Sequence, residues 1–436
     1  MKKVLIITYY WPPSGGSGVQ RWAYFCKYLI EFGIYPIVIT VDENKASYRY
    51  NDYSLNELVK DIEVHKTKTI EPLRIYSRLI SGDSNSGIPI GFAGESKPKF
   101  FQKITRAIRG NFFIPDARIG WVKFAYRKAK EIIEKENINI VITNGPPHST
   151  HLVGLRLKKN FRFIWMADFR DPWTELHYNR FLYRTKFAQS RDARMEYTIL
   201  NKADILLTVG PSMKKHLIQK GNISEEKVSF IYNGYDENDF EDIDFKTDPC
   251  HFTISHIGML SDSQPITTFL EALKYFRVNS HPIFKVLKLR LIGSVSHKNI
   301  DDIKAIVPDL IVEHVDYVPK KTAISYMMSS DLLFNSLAEM KDSELLISGK
   351  LMEYIAAGKP VLCLGNPNGD AAALLKEFKL SAVFDRNDIE PIVKFLETIF
   401  DNWLNKITFA SKDENIKHYS RFETTRQLAN LLNQYL

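Results

Sequence analysis

Short apolar runs alternate with amphipathic segments along nearly the whole chain, and this alternation restricts the possible folds more than any other feature. Runs such as INIVIT and DILLTV are continuous, as in parallel strands that are buried on both faces. In the first half the runs lie at 3–8, 35–41, 62–66, 138–143, 162–167, 204–209 and 228–232. One amphipathic segment places six apolar residues on a single helix face: Val19, Trp22, Ala23, Cys26, Leu29 and Ile30.

A second series of the same kind starts near residue 250. Its runs are FTISHIG, LKLRLIG, IVEHVDYV, DLLFNSL, PVLCLG and SAVF. Two series predict two doubly wound, Rossmann-like α/β domains, and 436 residues exceed what one core usually organises. We expect the first domain at 1–235 with a helix at about 415–436 that crosses back to it, and the second domain at 236–414. If the two domains face each other, ligands bind at the carboxyl ends of the strands.

The charge is uneven, and it favours an anionic partner. The formal net charge is +8, and between Lys97 and Lys130 there are ten Lys or Arg residues and one acid, Asp116. Aromatic residues lie among them: Phe100, Phe101, Phe112, Phe113 and Trp121. Exposed aromatics among cations suit an anionic membrane surface. A solvated basic helix face is the structural alternative, and nucleic acid is a third, which no recognition motif supports.

The glycine-rich stretch SGGSGVQR follows the first predicted strand and opens a helix. Gly16, Gly18 and Arg21 occupy the three positions of G-x-G-x-x-G, so the dinucleotide fingerprint fails at the third. Asp42 stands where the acidic ribose ligand would be, which keeps a dehydrogenase open on this feature alone. The loop either contacts a ligand phosphate at the helix N-terminus or is a plain tight turn.

Two further strand ends carry polar side chains. In NGPPHSTHL, His148 and His151 lie near a helix start, where a histidine can carry a proton or hold a hydroxyl, or simply pack. Their spacing also suits a metal, but no third ligand is evident. In ADFRDPW, Asp168 and Asp171 flank Arg170, as either a structural ion-pair cluster or a group that orients the histidine or an acceptor.

The most specific stretch is SGKLMEYIAAGKPV. Ser348 and Gly349 form a turn that opens a short helix, Lys350 adds positive charge at its start, and Glu353 lies one turn inside. This pattern predicts a phosphate at the helix N-terminus and sugar hydroxyls on Glu353. Upstream, IYNGYD contains a strong Asn-Gly turn signal and is interpreted mainly as the hinge between the domains.

In these stretches, taken in order, the chain resembles family 4 glycosyltransferases with the GT-B fold, and most closely the bacterial branch that makes cell-surface polysaccharides. The motifs are PPSGGSGVQRW, NGPPHSTHL, ADFRDPW, YNGYD, SHIGML and SGKLMEYIAAGKPV. The resemblance implies a nucleotide sugar held mainly by the second domain, an acceptor held by the first, retention of anomeric configuration, and no cofactor or metal. Glu353 would bind the donor ribose, and Gly16 would contact the diphosphate or the transferred sugar.

The candidate residues follow from these motifs. The catalytic candidates are His148, Asp168, Asp171 and Lys350. The candidates for donor binding are Gly16, Gly18, Arg21, Gly258, Tyr317, Ser348, Gly349, Lys350 and Glu353. Two features depart from the family pattern: Leu345 stands where a first glutamate is usual, and Met259 to Gln264 contain no cation. The charge of the leaving group must then be met by Lys350, by helix N-termini or by Arg21.

The leading hypothesis is therefore a glycosyltransferase that moves a sugar from a UDP- or GDP-sugar to a hydroxyl of a glycan or lipid-linked acceptor. It is expected in the cytoplasm, with peripheral association at the inner face of the membrane through 97–130. A non-catalytic partner that binds a nucleotide sugar or glycan is the alternative from another class, and the missing cations favour it. A sugar-nucleotide epimerase is a third hypothesis. A dehydrogenase fits least, because Arg21 replaces the third glycine.

Overall fold

The chain folds into two compact units in the computed structural model, which describes residues 2–48, 51–71, 100–407 and 414–436. Unit 1 comprises Met1–Tyr232 and Arg421–Leu436, and unit 2 comprises Asn233–Ser420. The chain passes from one unit to the other inside the IYNGYD stretch, where Gly234 has a φ of 72°. This left-handed conformation strains residues with a side chain and suits glycine. No helix within these described ranges is long and apolar enough to cross a bilayer.

Unit 1 is built on a seven-stranded sheet in the order β3-β2-β1-β4-β5-β6-β7, and neighbouring strands are parallel. Its strands are β1 Lys2–Ile7, β2 Ile34–Val41, β3 Glu63–Thr67, β4 Ile140–Gly145, β5 Ile164–Phe169, β6 Ile205–Thr208 and β7 Val228–Phe230. All residues of β4 are buried, as expected for a central strand covered on both faces. Because β1, β4 and β5 are neighbours and run parallel, their carboxyl ends lie side by side at one edge of the sheet.

The described helices of unit 1 are α1 Ser17–Leu29, α2 Leu55–Leu58, α3 Phe100–Phe112, α4 Val122–Glu136, α5 His151–Leu157, α6 Lys186–Lys202, α7 Pro211–Gly221 and, at the C-terminus, α15 Arg421–Asn433. The predicted apolar face of α1 is buried except at Ile30, which is half-buried. The predicted return of the C-terminal helix is confirmed, because α15 packs against α1. Leu428, Ala429 and Leu432 share one core with Trp22 and Cys26.

Unit 2 contains a six-stranded parallel sheet in the order β10-β9-β8-β11-β12-β13. Its strands are β8 Phe252–Ile257, β9 Leu287–Ile292, β10 Ile311–Val315, β11 Leu332–Ser336, β12 Val361–Leu364 and β13 Ser381–Phe384. Its helices are α8 Thr267–Val278, α9 Pro282–Val286, α10 His297–Ile306, α11 Lys320–Met328, α12 Gly349–Ala356, α13 Asp370–Leu375 and α14 Ile389–Leu404. The predicted α/β class and the strands of both series are confirmed.

Candidate functional site

The glycine loop of unit 1 opens α1 and lies against a cation. Gly16 caps the helix with a φ of 110°, which only glycine adopts without strain. A β-carbon at Gly18 would lie 1.7 Å from Nη1 of Arg170, so the missing side chain leaves room for that guanidinium. Arg170 also donates from Nε to Oδ1 of Asn144 at 3.2 Å and from Nη2 to the carbonyl of Pro146 at 3.2 Å. A helix N-terminus and an arginine thus meet at this loop, an arrangement that suits an anion.

Arg21 and Asp168, which the sequence analysis proposed for donor binding and catalysis, pair with each other in the interior of unit 1. Both side chains are fully buried and form a two-pronged ion pair, with distances of 3.2 Å from Nε to Oδ2 and 3.3 Å from Nη2 to Oδ1. Asp168 also accepts a hydrogen bond from Nε1 of Trp22 at 2.7 Å, and Arg21 donates to the carbonyl of Ile231 at 2.8 Å. Burial lowers the pKa of Arg21, although Asp168 opposes this. This burial favours a structural role for the pair, in the stability of unit 1.

The two histidines differ in their surroundings. His151 is fully buried, bonds through Nδ1 to Oγ1 of Thr143 at 2.8 Å, and stacks on Phe169. His148 stacks on Trp173 with ring centroids 4.9 Å apart and an angle of 8° between the planes. Burial lowers the pKa of His148 to about 3, so its ring is neutral at pH 7. A neutral imidazole can orient a hydroxyl, but it is a poor proton acceptor when its own pKa is so low.

A pocket of about 200 Å³ lies at the carboxyl ends of the unit 1 strands, beside His148. Its lining combines aromatic and aliphatic side chains with three arginines: Tyr10, Arg109, Phe113, Pro115, Asp116, Ala117, Arg118, Pro146, Pro147, His148, Trp173, Leu176, Asn179, Leu182 and Arg184. Two of the arginines have carboxylate partners, Arg118 with Glu71 and Arg184 with Asp192. Asp171 is half-buried just beyond β5. The pocket is mixed in polarity, as binding sites for sugars and other amphiphilic groups usually are.

In unit 2, the turn after β8 and the start of α12 lie together. Gly258 has a φ of 135°, and a β-carbon there would lie 3.3 Å from Cε of Lys350. Ser348 caps α12, because its hydroxyl accepts a hydrogen bond from the backbone N–H of Lys350 at 3.3 Å. Lys350 therefore brings a charge to a turn whose own residues, Met259 to Gln264, include no cation. The helix dipole adds to the same positive field.

Glu353 lies one turn inside α12, and the helix holds it beside Lys350. Oε2 of Glu353 is 3.2 Å from Nζ of Lys350, and the Glu353 side chain is 13% exposed whereas that of Lys350 is 40% exposed. The next residue, Tyr354, fixes the helix to the strand, because its hydroxyl bonds both the N–H and the carbonyl of Ile257. This leaves a carboxylate and an ammonium on one accessible turn of a firmly held helix.

Three further places in unit 2 carry residues that bear on the candidate site: His256, the Glu344–Leu345 turn and Tyr317. His256 bonds through Nδ1 to the carbonyl of Phe334 at 3.1 Å, and burial lowers its pKa to about 4, so it is neutral behind the Gly258 turn. Leu345 is buried, whereas Glu344 is half-buried beside the Gly369 turn that opens α13. Tyr317 follows β10 and is 83% exposed, so its ring is free to stack on a flat ligand.

Only some residues of the basic stretch between Lys97 and Lys130 lie at the surface, whereas the sequence analysis expected this of all of its aromatic residues. Lys97 and the residues up to position 99 lie outside the described residues, as do the side chains of Phe100 and Phe101. Trp121 is fully buried, with Nε1 donating to Oγ1 of Thr67 at 2.7 Å, so it is a core residue and cannot belong to a surface. Phe112 is exposed, as expected, and Phe113 lines the pocket.

Sequence analysis missed the position of Arg170 beside the glycine loop and the three arginines of the pocket. The available signal for Arg170 was its place at the end of β5, which lies two strands from β1 in the sheet. Arg109 and Arg118 belong to the basic stretch noted above, but no local pattern brings them together with Arg184 in one pocket, because Arg184 comes from a distant segment.

Comparisons with known proteins concern the fold of the chain and the family that part of it resembles. Residues 90–239 match the model of Glycosyltransferase Family 4. No curated protein matches the chain significantly. Among solved structures, a glycosyltransferase from Rickettsia africae has a TM-score of 0.64 at 16% identity, over 100% of this chain and 98% of that one. Anabaena HepE in complex with UDP has a TM-score of 0.64 at 14% identity, over 100% of both chains. The sucrose-phosphate synthase of Thermosynechococcus elongatus has a TM-score of 0.65 at 13% identity, over 100% of this chain and 99% of that one.

These identities are too low to transfer a substrate, but the coverage of both chains shows a shared fold. The family match covers the part of unit 1 that carries NGPPHSTHL and ADFRDPW, and it extends through YNGYD, where the chain passes into unit 2. The chain therefore has the GT-B fold, and its residues 90–239 are similar to glycosyltransferase family 4.

Proposed function

We propose that this glycosyltransferase moves a sugar from a UDP- or GDP-sugar to a hydroxyl of a glycan or lipid-linked acceptor in cell-surface polysaccharide synthesis. The observation that carries the proposal is the arrangement of Lys350 over the Gly258 turn at the capped start of α12. An ammonium and a helix N-terminus stabilise the negative charge that develops on a departing diphosphate. The complex of HepE with UDP, a protein of the same fold, supports a nucleotide donor.

The proposed roles are divided between the units. In unit 2, Glu353 accepts hydrogen bonds from the donor ribose, Ser348, Gly349 and Lys350 hold the diphosphate with Gly258, and Tyr317 stacks on the base. In unit 1, the Gly16–Gly18 loop and Arg170 form a second place for negative charge. His148, as a neutral ring in the pocket, orients the acceptor hydroxyl, and Asp171 assists it. We further propose retention of configuration, in which the departing phosphate takes the proton of the attacking hydroxyl and no metal is required.

The test is a thermal-shift panel of UDP-, GDP-, ADP- and TDP-sugars, with magnesium and with EDTA. A ligand that binds only the folded state raises the melting temperature by mass action. We expect a shift with UDP- or GDP-sugars that EDTA leaves unchanged. Glu353→Gln should remove most of this shift, because the amide is a weaker acceptor for the ribose hydroxyls than a carboxylate.

A matched control is Glu390→Gln, since Glu390 also pairs with a lysine on a helix of unit 2 but lies on the exposed face of α14. It should leave the shift unchanged. An unaltered shift in a folded Glu353→Gln variant would contradict the ribose assignment. Donor binding without any transfer to acceptors would favour the second candidate, a non-catalytic nucleotide-sugar-binding partner. The absence of cations in Met259 to Gln264 and the buried Leu345 favour that candidate.

A further inference from the structure

The third helix of unit 1 presents its apolar side outward. In α3, Ile104, Ile108 and Phe112 follow one another at intervals of four, so they form one stripe along the helix. They are 41%, 42% and 78% exposed. The opposite side packs inward at Gly110, where a β-carbon would lie 2.3 Å from the carbonyl oxygen of Leu182. An amphipathic helix normally buries its apolar side, whereas this stripe has no apolar cover among the residues that the structure describes.

A second element extends the same surface. Asn111 donates from Nδ2 to the carbonyl of Tyr183 at 3.0 Å, and its Oδ1 accepts from the backbone N–H of Thr185 at 2.8 Å. These bonds fix the end of α3 beside the start of α6. Tyr183 and Phe187 are 47% and 76% exposed. Five exposed apolar side chains thus lie on two elements that meet at Asn111, and we refer to Ile104, Ile108, Phe112, Tyr183 and Phe187 as the docking surface.

The charges around the docking surface are almost all positive. The stretches 100–118 and 183–194 carry six exposed or half-buried cations: Lys103, Arg106, Arg109, Lys186, Arg191 and Arg194. Two further arginines, Arg118 and Arg184, are held in buried ion pairs and do not belong to this rim. The carboxylates of the two acids in these stretches, Asp192 and Asp116, bond to groups of the protein itself. Asp192 is buried against Arg184, and Asp116 accepts hydrogen bonds from the backbone N–H and the hydroxyl of Ser149. A basic rim around apolar side chains is complementary to anionic headgroups over acyl chains.

We propose that the docking surface inserts into the interfacial region of an anionic lipid bilayer. Arg109 of α3 and Phe113, directly after its end, line the 200 Å³ pocket beside His148, so a bilayer at α3 would lie next to that pocket. This link deepens the proposed function and rests on it: the acceptor would then be an amphiphile whose polar group enters the pocket from the membrane surface. The insertion itself does not depend on that link.

The first experiment measures sedimentation with vesicles of phosphatidylglycerol and phosphatidylcholine in equal parts, and with phosphatidylcholine alone. The full chain should bind the anionic vesicles at low salt and lose most of that binding at about 0.5 M NaCl, because salt screens the headgroup charge. The double variant Phe112→Ser, Phe187→Ser should weaken binding at least about tenfold, since two exposed aromatic rings no longer enter the bilayer. Tyr53→Ser is the matched control, because Tyr53 is a 67% exposed aromatic elsewhere in unit 1.

A second readout separates insertion from adsorption. Tryptophan placed by Phe112→Trp should be quenched by lipids brominated in their acyl chains, whereas tryptophan placed by Tyr53→Trp should not. Three results would overturn the inference: no vesicle binding at low salt, wild-type binding by the double variant, or equal quenching at both positions. A dimer in solution that the double variant abolishes would also overturn it, because the surface would then be an interface between copies.

The nucleotide-sugar thermal shift keeps the two proposals separate. The double variant should keep the wild-type shift, since both substitutions are far in sequence from every residue proposed to hold the donor. If neither the wild type nor the double variant showed a thermal shift while the wild type still bound anionic vesicles, the proposed function would be rejected. The membrane inference would not be affected.

Discussion

At the scale of single residues, the Arg21–Asp168 ion pair gives the sharpest test of structural against catalytic roles. Asp168→Asn leaves a buried guanidinium without its counter-charge, which usually costs about 3–5 kcal/mol. Asp171→Asn, three positions along and half-buried, should cost less than about 1 kcal/mol. Urea unfolding of the two variants measures the difference. If Asp168→Asn kept wild-type stability and lost only transfer activity, Asp168 would return to the catalytic set.

Glu196 makes a second residue-scale prediction, on pH. It is buried on α6, where its Oε2 accepts a hydrogen bond from Thr174 at 2.6 Å, and burial raises its pKa to about 7, with Glu175 adding to the effect. Because the folded state holds this proton more tightly than the unfolded state, the resulting stability is full below about pH 4.5 and is lost as pH rises toward 7. The upper limit is about 3 kcal/mol, from a shift of roughly 2.5 pKa units.

Glu196→Gln should therefore remove this pH dependence. The free energy of unfolding of the variant, relative to the wild type, should improve steadily from pH 5 to pH 8 in urea titrations. Glu390→Gln is the control, because Lys394 lowers the pKa of Glu390 and the residue stays ionised across that range. Parallel curves for wild type and Glu196→Gln would show that Glu196 does not titrate in this window.

At the scale of elements, α15 completes the core of the unit where the chain begins. Leu428 is fully buried there, so Leu428→Ala should destabilise unit 1 by about 2–5 kcal/mol through lost contacts and a cavity. Gln427→Ala changes an exposed neighbour on the same helix and should stay within about 0.5 kcal/mol. Calorimetry of both variants tests this. Equal melting temperatures would mean that α15 contributes little to the unit 1 core.

The elements were also the most predictable part of the molecule. Continuous apolar runs placed the strands to within about two residues, as for β4, predicted at 138–143 and found at Ile140–Gly145. Local patterns suffice here, because burial on both faces forces nearly every residue of a central strand to be apolar. The outward orientation of the apolar stripe on α3 could not be predicted in this way, because helical spacing identifies an apolar side but not what that side faces.

At the scale of the whole molecule, sequence order predicted two units but not which side chains meet. Arg21 and Asp168 pair across 147 positions of sequence, and neither residue's neighbours reveal the other. The same holds for Arg170 and Gly18, whose contact depends on the order of strands in the sheet. The Ser348–Glu353 stretch was predictable because one short helix carries all its candidate residues and their spacing is local.

The position of α15 has a consequence for how the protein is made. The ribosome synthesises this helix long after Trp22 and Cys26, yet the helix shares one core with them. Unit 2 is contiguous in sequence and can fold during translation, whereas part of the unit 1 core stays open until Arg421–Leu436 has emerged. A nascent chain stalled before Arg421 would therefore expose apolar residues of unit 1 to chaperones.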